Sequence, residues 1–235
     1  MYVADAHCDF LYYMLHREYD VAVPRAGQAV DIPGMRAGGA AMQLFAAWMD
    51  PDEDVTFLQQ CMSLIDADKG LSRLGRSVVR EMERINMAVD VAHLSDASVD
   101  GVLDEISAPI FSSHTNARAV LKHRRSLSDR HIREIARRGG VVGVNYYSPQ
   151  LVERGRARIE DIVKHIEHIA AVGGIDCVAL GSDFDGMGQD AYPEGLNNWK
   201  DVPKLIAALQ KAGFGESDIR KIACDNLLNY MKRFV

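Results

Sequence analysis

An α/β fold is what this chain of 235 residues predicts. Three observations carry the expectation. Six short apolar runs of strand character recur along the chain, helical patterns alternate with them, and no linker, repeat or low-complexity tract divides the whole. Strands joined by single helices pair in parallel through right-handed crossovers. A parallel sheet in one domain, residues 1–235, is therefore expected.

The runs are "YVADAHCD" (2–9), "AAMQLFAAW" (40–48), "MAVDVAH" (87–93), "APIFSSH" (108–114), "GGVVGVNYY" (139–147) and "DCVALGSDFDG" (176–186). If the first is a strand, its period of two sends Asp5, His7 and Asp9 to one face and Ala4, Ala6 and Cys8 to the other. The clearest helix is "RIEDIVKHIEHIAAV" (158–172), where Ile159, Ile162, Val163, Ile166, Ile169 and Ala170 form one apolar stripe. Ser128 is a good N-cap for "DRHIREIARR", and Gly139-Gly140 stops that helix. Between the second and third runs lie two helical patterns, "DVTFLQQCMSLIDAD" (54–68) and "SRLGRSVVREMERIN" (72–86), with no strand expected between them. "ESDIRKIACDNLLNYMKRF" closes the chain as an amphipathic helix.

Composition narrows the function. With 48% hydrophobic and 26% charged residues the chain is that of a globular protein, not a disordered or fibrous one. A net charge of -6 with scattered basic residues gives no footprint for nucleic acid or an anionic membrane. No apolar run reaches the length of a membrane span, and "MYVADAHCD" has neither a basic lead nor a signal h-region. Cys8, Cys61, Cys177 and Cys224 are too dispersed for a C-x-x-C pair, so reduced, buried cysteines in a cytoplasmic protein are expected. The partner is expected to be a small molecule.

The strand ends carry the chemistry. His93 ends the third run, His114 the fourth, and Asp183 lies at the end of the sixth; with His7 and Asp9, four strands deliver ionisable groups to the same end of a sheet. In parallel α/β folds catalytic groups gather at the carboxyl ends of strands. A lone H-x-D, or a lone strand-end histidine, would ordinarily be a chance triplet or a hydrogen-bonded core residue. Burying so many ionisable groups together is costly without a metal or ligand. Imidazole and carboxylate without thiolate suit zinc or a similar divalent ion in an open site. Such an ion lowers the pKa of its water and polarises a carbonyl, which makes hydrolysis the natural reaction. The other histidines, His16, His123, His131, His165 and His168, are read as surface residues.

These segments, together with "DIPGMRAGGAAMQLFAAW", "GLSRLGRSVVREMERINMAVDVAHLSD" and "SSHTNARAVLKHRRSLSDRHIREIARRGGVVGVNYY", resemble the membrane (renal) dipeptidases, zinc hydrolases of the (β/α)8 TIM-barrel type. The resemblance implies that His7 and Asp9 hold one zinc and His93 and His114 a second. It implies Asp183 as the proton partner of the bridging water, and Arg125 in "HRRSLSD" as the group that grips the carboxylate of a dipeptide. It also exposes a departure. Family members carry two further βα units between the second and third runs, including a Glu that bridges both zincs and a histidine that assists at the carbonyl. Neither has a counterpart here, so the barrel is expected to be incomplete, with roughly 60 residues missing near the Asp68-Lys69 junction. Six strands leave two edges to be covered by a helix, an altered register or a partner chain, as in a homodimer. One ion or two therefore stays open. The acidic segment Asp50, Asp52, Glu53 and Asp54 could offer a substitute carboxylate, although a solvated turn is its plainer reading. The reading that follows is a dipeptidase-type metallohydrolase with weakened turnover. Its alternatives are a mononuclear hydrolase of another small amide, lactone or ester, and a non-catalytic family member that binds a metal or peptide.

Overall fold

A computed structural model describes residues 1–10, 20–46, 65–66 and 70–234. Six parallel strands build one sheet: β1 (Val3–Cys8), β2 (Ala40–Phe45), β3 (Val89–Asp90), β4 (Ile110–Thr115), β5 (Val142–Val144) and β6 (Val178–Leu180). Their spatial order is β2-β1-β6-β5-β4-β3. Neighbours in sequence are neighbours in space, and the first and last strands pair in parallel through Asp5 and Leu180. That is the cyclic order of a barrel, interrupted between β2 and β3. No sheet pairing joins those two among the described residues, and this is the place in the sequence where the two βα units were expected to be missing. The fold is thus α/β, an incomplete TIM barrel of six parallel strands. The junction at Asp68-Lys69 itself, like residues 47–64, lies outside the described residues.

The helices follow their sequence signals. Helix α1 (Ile32–Gly38) starts at Asp31, whose carboxylate accepts the Gly34 N–H, and stops at Gly39 with φ of 82°. Ser72, Ser95 and Ser128 cap α2 (Arg73–Arg84), α3 (Asp96–Glu105) and α4 (Asp129–Arg137), each accepting the N–H three residues on. Helix α5 (Ile159–Gly173) buries Ile162, Val163, Ile166 and Ile169, as its stripe predicts. After α6 (Val202–Lys211), the closing helix is continuous but contains a π turn at Lys221–Asp225 between α7 (Glu216–Arg220) and α8 (Asn226–Met231). There the Asn226 side chain donates to the carbonyls of Ile175 and Val178 and ties the helix to β6. Among the described residues no helix is long and apolar enough to cross a membrane.

The period of two in β1 holds at Ala4 and Ala6, which pack in a small cluster with Phe111, Ala179, Leu227 and Tyr230. Cys8 leaves that alternation and joins the larger core, because the β1–β2 register shifts between Asp5 and Cys8. Cys8, Cys177 and Cys224 are free and buried; Cys61 lies outside the described residues.

Two expectations are corrected. Ile65–Asp66, read as the end of a helix, pairs antiparallel with Gly70–Leu71 in a separate two-stranded sheet. A single apolar residue at a segment end does not distinguish the two states. The histidines read as surface residues are not all there: His165 is 0% and His131 1% exposed. His165 sits in α5 between its apolar stripe and the strand-end loop, where its Nδ1 accepts the Ala117 N–H at 3.1 Å. His131 lies in the first turn of α4 and meets Asp100 of α3 at 2.9 Å. In both, a neighbouring polar group meets one ring nitrogen, while His131 Nδ1 and His165 Nε2 are buried without a hydrogen-bond partner. His168 and His123 are partly buried, His168 against Asp129 at 2.8 Å, and His16 lies outside the described residues.

Candidate active site

Strand geometry brings the selected side chains to one end of the sheet. His7 near the end of β1 and His114 near the end of β4 stack, ring centroids 3.9 Å apart. His93, three residues past β3, approaches His114 edge-on with its Nε2 2.8 Å from the Nε2 of His114. Asp9 Oδ2 lies 3.3 Å and Asp183 Oδ1 3.8 Å from His7 Nε2. Arg125, on the loop after β4, reaches in and places Nη2 3.0 Å from His114 Nε2. All six line a cavity of about 1170 Å³. His93, Asp183 and the nearby Asp185 adopt φ of 68°, 60° and 62°. Backbone of that kind costs about 1–3 kcal/mol per residue and gathers at functional sites.

Several supporting residues were not read from the sequence. Asn145, just past β5, donates to Asp183 Oδ2 at 3.0 Å and leaves Oδ1 toward His7. Its own Oδ1 accepts the Tyr147 N–H. Asp185 accepts the N–H groups of Ala29 and Val30 at 2.8 and 3.0 Å, anchoring the loop before α1 beside the cavity. Asp5 is buried beneath the site, accepting from Ser182 N–H and Oγ, Gln43 Nε2 and the His7 N–H. Gly186 lies against both free carboxylates, and a Cβ there would overlap Asp9 Oδ2 and Asp183 Oδ1. The second Asp and the final Gly of "GSDFDG" were the legible signal for two of these. Asn145 carried none, because its role depends on a partner far away in sequence, whereas Asp5, expected on the face of His7 and Asp9, turns to Ser182 and Gln43 instead.

Burial sets the protonation states. It holds His114 well below the ordinary histidine range, helped by the charges of His7, His93 and Arg125. Burial, with Arg125 second, brings His93 down to about 4. Burial would also lower His7, but the bond from Asp9 and the charge of Asp183 outweigh it and raise the pKa. Asp183 is pushed up by burial, against the opposing charge of His7.

A divalent cation fits this donor set. One ligand atom each from His7, His114 and Asp183 lie within 4.8 Å of one another. His93 and His114 are kept neutral, and Ser113 Oγ, 2.8 Å from Nδ1 of His114, holds that ring with Nε2 toward the cavity. Among the described residues no further group of this kind occurs. Asp50, Asp52, Glu53 and Asp54 lie outside the described residues.

Strand-end imidazoles and carboxylates at the mouth of a barrel-type sheet define a hydrolase of the barrel class. The chain belongs to the membrane dipeptidase family, peptidase family M19, whose model matches residues 54–234. It is thereby a metallo-dipeptidase-type hydrolase. Solved structures share the fold. The metallopeptidase dipeptidase AC superposes with a TM-score of 0.83 at 21% identity, covering 100% of this chain and 98% of that one. A metallopeptidase from Rhodobacter sphaeroides, liganded with a phosphinate mimic of L-Ala-D-Ala, gives 0.82 at 20% identity over 100% and 99%. An amidohydrolase from Pseudomonas aeruginosa gives 0.71 at 21% over 99% and 87%.

Proposed function

We propose that this chain cleaves dipeptides, with Arg125 as the anchor for their terminal carboxylate. The observation that carries the reading is the state of Arg125. Its Nε is buried with no hydrogen-bond partner, and its Nη2 points at a neutral imidazole nitrogen inside the cavity. A desolvated guanidinium of this kind calls for an anion, and a carboxylate matches its fork.

His7, Asp9, His93 and His114 are the residues that would hold the metal, for which zinc suits the nitrogen-rich donors. When bound, such an ion activates water and polarises the scissile carbonyl. Asp183 takes a proton from the attacking water at Oδ1 and passes it to the leaving amine as the C–N bond breaks. Asn145, bonded to Oδ2, fixes the orientation of that carboxylate. The cavity walls hold the peptide bond against these groups, and the loop carrying Tyr147, Ser148 and Pro149 closes one side. The free buried cysteines agree with a reducing, cytoplasmic setting.

The test is release of free amino acids from a dipeptide panel that includes L-Ala-D-Ala, by the zinc-loaded chain and by Asp183→Asn. Cleavage lost in Asp183→Asn is the expected result. Binding of dipeptides without products would instead identify a non-catalytic member of the family.

A further inference from the structure

We infer that Arg118 is a positioning residue for the substrate's carboxylate: it bridges Asp96, in the first turn of α3, to the carbonyl beside Arg125 and so sets where the Arg125 guanidinium stands in the cavity. This rests on the reading of Arg125 given above and adds to it a residue that does not itself line the cavity.

Arg125 reaches the site from a loop, and a loop backbone must be fastened before its side chain can keep a fixed place. The fastenings are specific. At the neck of the loop the Leu127 N–H donates to the Asn116 carbonyl and the Arg118 N–H to the Leu127 carbonyl, both at 2.9 Å. At Arg125 itself the N–H reaches His123 Nδ1 at 3.2 Å, and the carbonyl accepts from Thr115 Oγ1 at 2.8 Å. The next carbonyl, that of the buried Ser126, accepts from Arg118 Nε at 2.9 Å and Nη2 at 2.6 Å. The outer edge of the same guanidinium donates to Asp96, Nη1 to Oδ2 at 2.6 Å and Nη2 to Oδ1 at 2.7 Å. One planar fork thus ties a helix terminus to the loop, a double contact that the point charge of a lysine does not reproduce.

As an ion pair alone the contact would matter little, since the Arg118 and Asp96 side chains are 28% and 49% exposed. Its weight is geometric. Ser126 follows Arg125 directly, so a shift of the Ser126 carbonyl carries the Arg125 backbone with it, and with that the Nη2 that stands 3.0 Å from His114 Nε2. A misplacement of about 1 Å in a positioned group can cost about a hundredfold. Thr115, the other side chain that fastens this stretch, belongs to the end of β4 and still holds the Arg125 carbonyl when Arg118 is replaced. The loop then keeps its course, and the anchor loses its aim.

The experiment titrates the zinc-loaded full chain with two probes, an Ala-Ala phosphinate with a free C-terminal carboxylate and the same compound as its C-terminal amide, and reads both affinities by calorimetry. The wild type is expected to prefer the free carboxylate by about tenfold or more, and Arg125→Met to abolish the preference. Arg118→Met is expected to remove most of it, with affinity for the amide kept within about threefold. In the Arg125→Met background, Arg118→Met is expected to change neither affinity by more than about twofold, because it acts through Arg125. A preference unchanged in Arg118→Met, an equal loss on both probes, or a further loss in the double variant overturns the inference and leaves Arg125 as the anchor. A preference that survives Arg125→Met, or a wild type that binds neither probe, overturns the reading of Arg125 and the inference with it. If Arg118→Met fails to fold, Arg118→Lys and Asp96→Asn, which loosen the bridge without emptying it, decide: a weakened preference in both is expected, and a wild-type preference in both overturns the inference.

Discussion

Arg125 and His165 show how burial converts an ordinary side chain into a specific one. The Arg125 guanidinium is desolvated and lacks an anion among its described partners, so Arg125→Met is expected to remove a charge-assisted contact worth about 1.5–3 kcal/mol. In kcat/KM on dipeptides that is roughly a 10- to 100-fold loss. A substrate amidated at its C-terminus should be insensitive to the substitution; equal loss on both substrates would remove Arg125 from carboxylate binding. His165 is the counterpart in the scaffold. Burial, with the charge of His168 second, brings its pKa down to about 4, below the 6.5 of an exposed histidine. The folded state therefore binds fewer protons than the unfolded chain between those values. The stabilisation is complete above pH 6.5 and is lost as pH falls toward 4, by about 3 kcal/mol at most. Urea unfolding of wild type and His165→Gln across that window should show stabilities that converge as the medium becomes acidic. Parallel curves would assign the acid sensitivity to other groups. Sequence alone misplaced this residue, because a histidine beside charges on a helix looks solvated until the neighbouring loop is known.

At the scale of elements, the ends of β1, β2 and β6 are joined by one buried carboxylate. Asp5 accepts from Ser182 of the segment after β6, from Gln43 of β2 and from the His7 N–H of its own strand. Gln43 in turn accepts from Trp199 Nε1 at 2.9 Å. The network sets the height at which His7 and Asp183 emerge. Asp5→Asn keeps the shape but replaces an acceptor with an NH2 facing other donors, and it is expected to destabilise by about 2 kcal/mol or more. Denaturant midpoints measure this, and a change below about 0.5 kcal/mol would show that the network is replaceable. The elements themselves were largely legible. Serine caps, apolar runs and the stripe of α5 are local signals, and all six strands and their parallel pairing follow from them. The π turn at Lys221–Asp225 and the short pairing of Ile65–Asp66 were not, since both depend on long-range contacts rather than on local pattern. The alternation "DAHCD" exposed His7 and Asp9 at once. Asn145 stayed hidden because an asparagine after a strand has many commoner uses.

For the whole molecule the decisive feature is the interruption between β2 and β3. A closed barrel surrounds its mouth with groups from every strand, whereas here the candidate site draws on β1, β3, β4, β6 and the loops after them. Among the described residues no strand pairs between the two edge strands, where the resemblance implies that family members carry two further units. Those units would bring a bridging carboxylate and a second group at the carbonyl. Removing one preorganised electrostatic group of this kind commonly lowers turnover by about 10²–10³-fold. The substrate anchor Arg125, the proton carrier Asp183 and its partner Asn145 are all retained, so binding should suffer less than chemistry. Assayed beside a family member that carries both units, the zinc-loaded chain is expected to show a kcat on dipeptides lower by about a hundredfold or more, with KM changed far less. Equal turnover, abolished by Asp183→Asn, would contradict this and would mean that another carboxylate has taken over the flank. The acidic residues Asp50, Asp52 and Glu53, which follow β2 in the sequence, are the first to replace by their amides in that event. Loss of the recovered rate in one of those variants would locate the substitute.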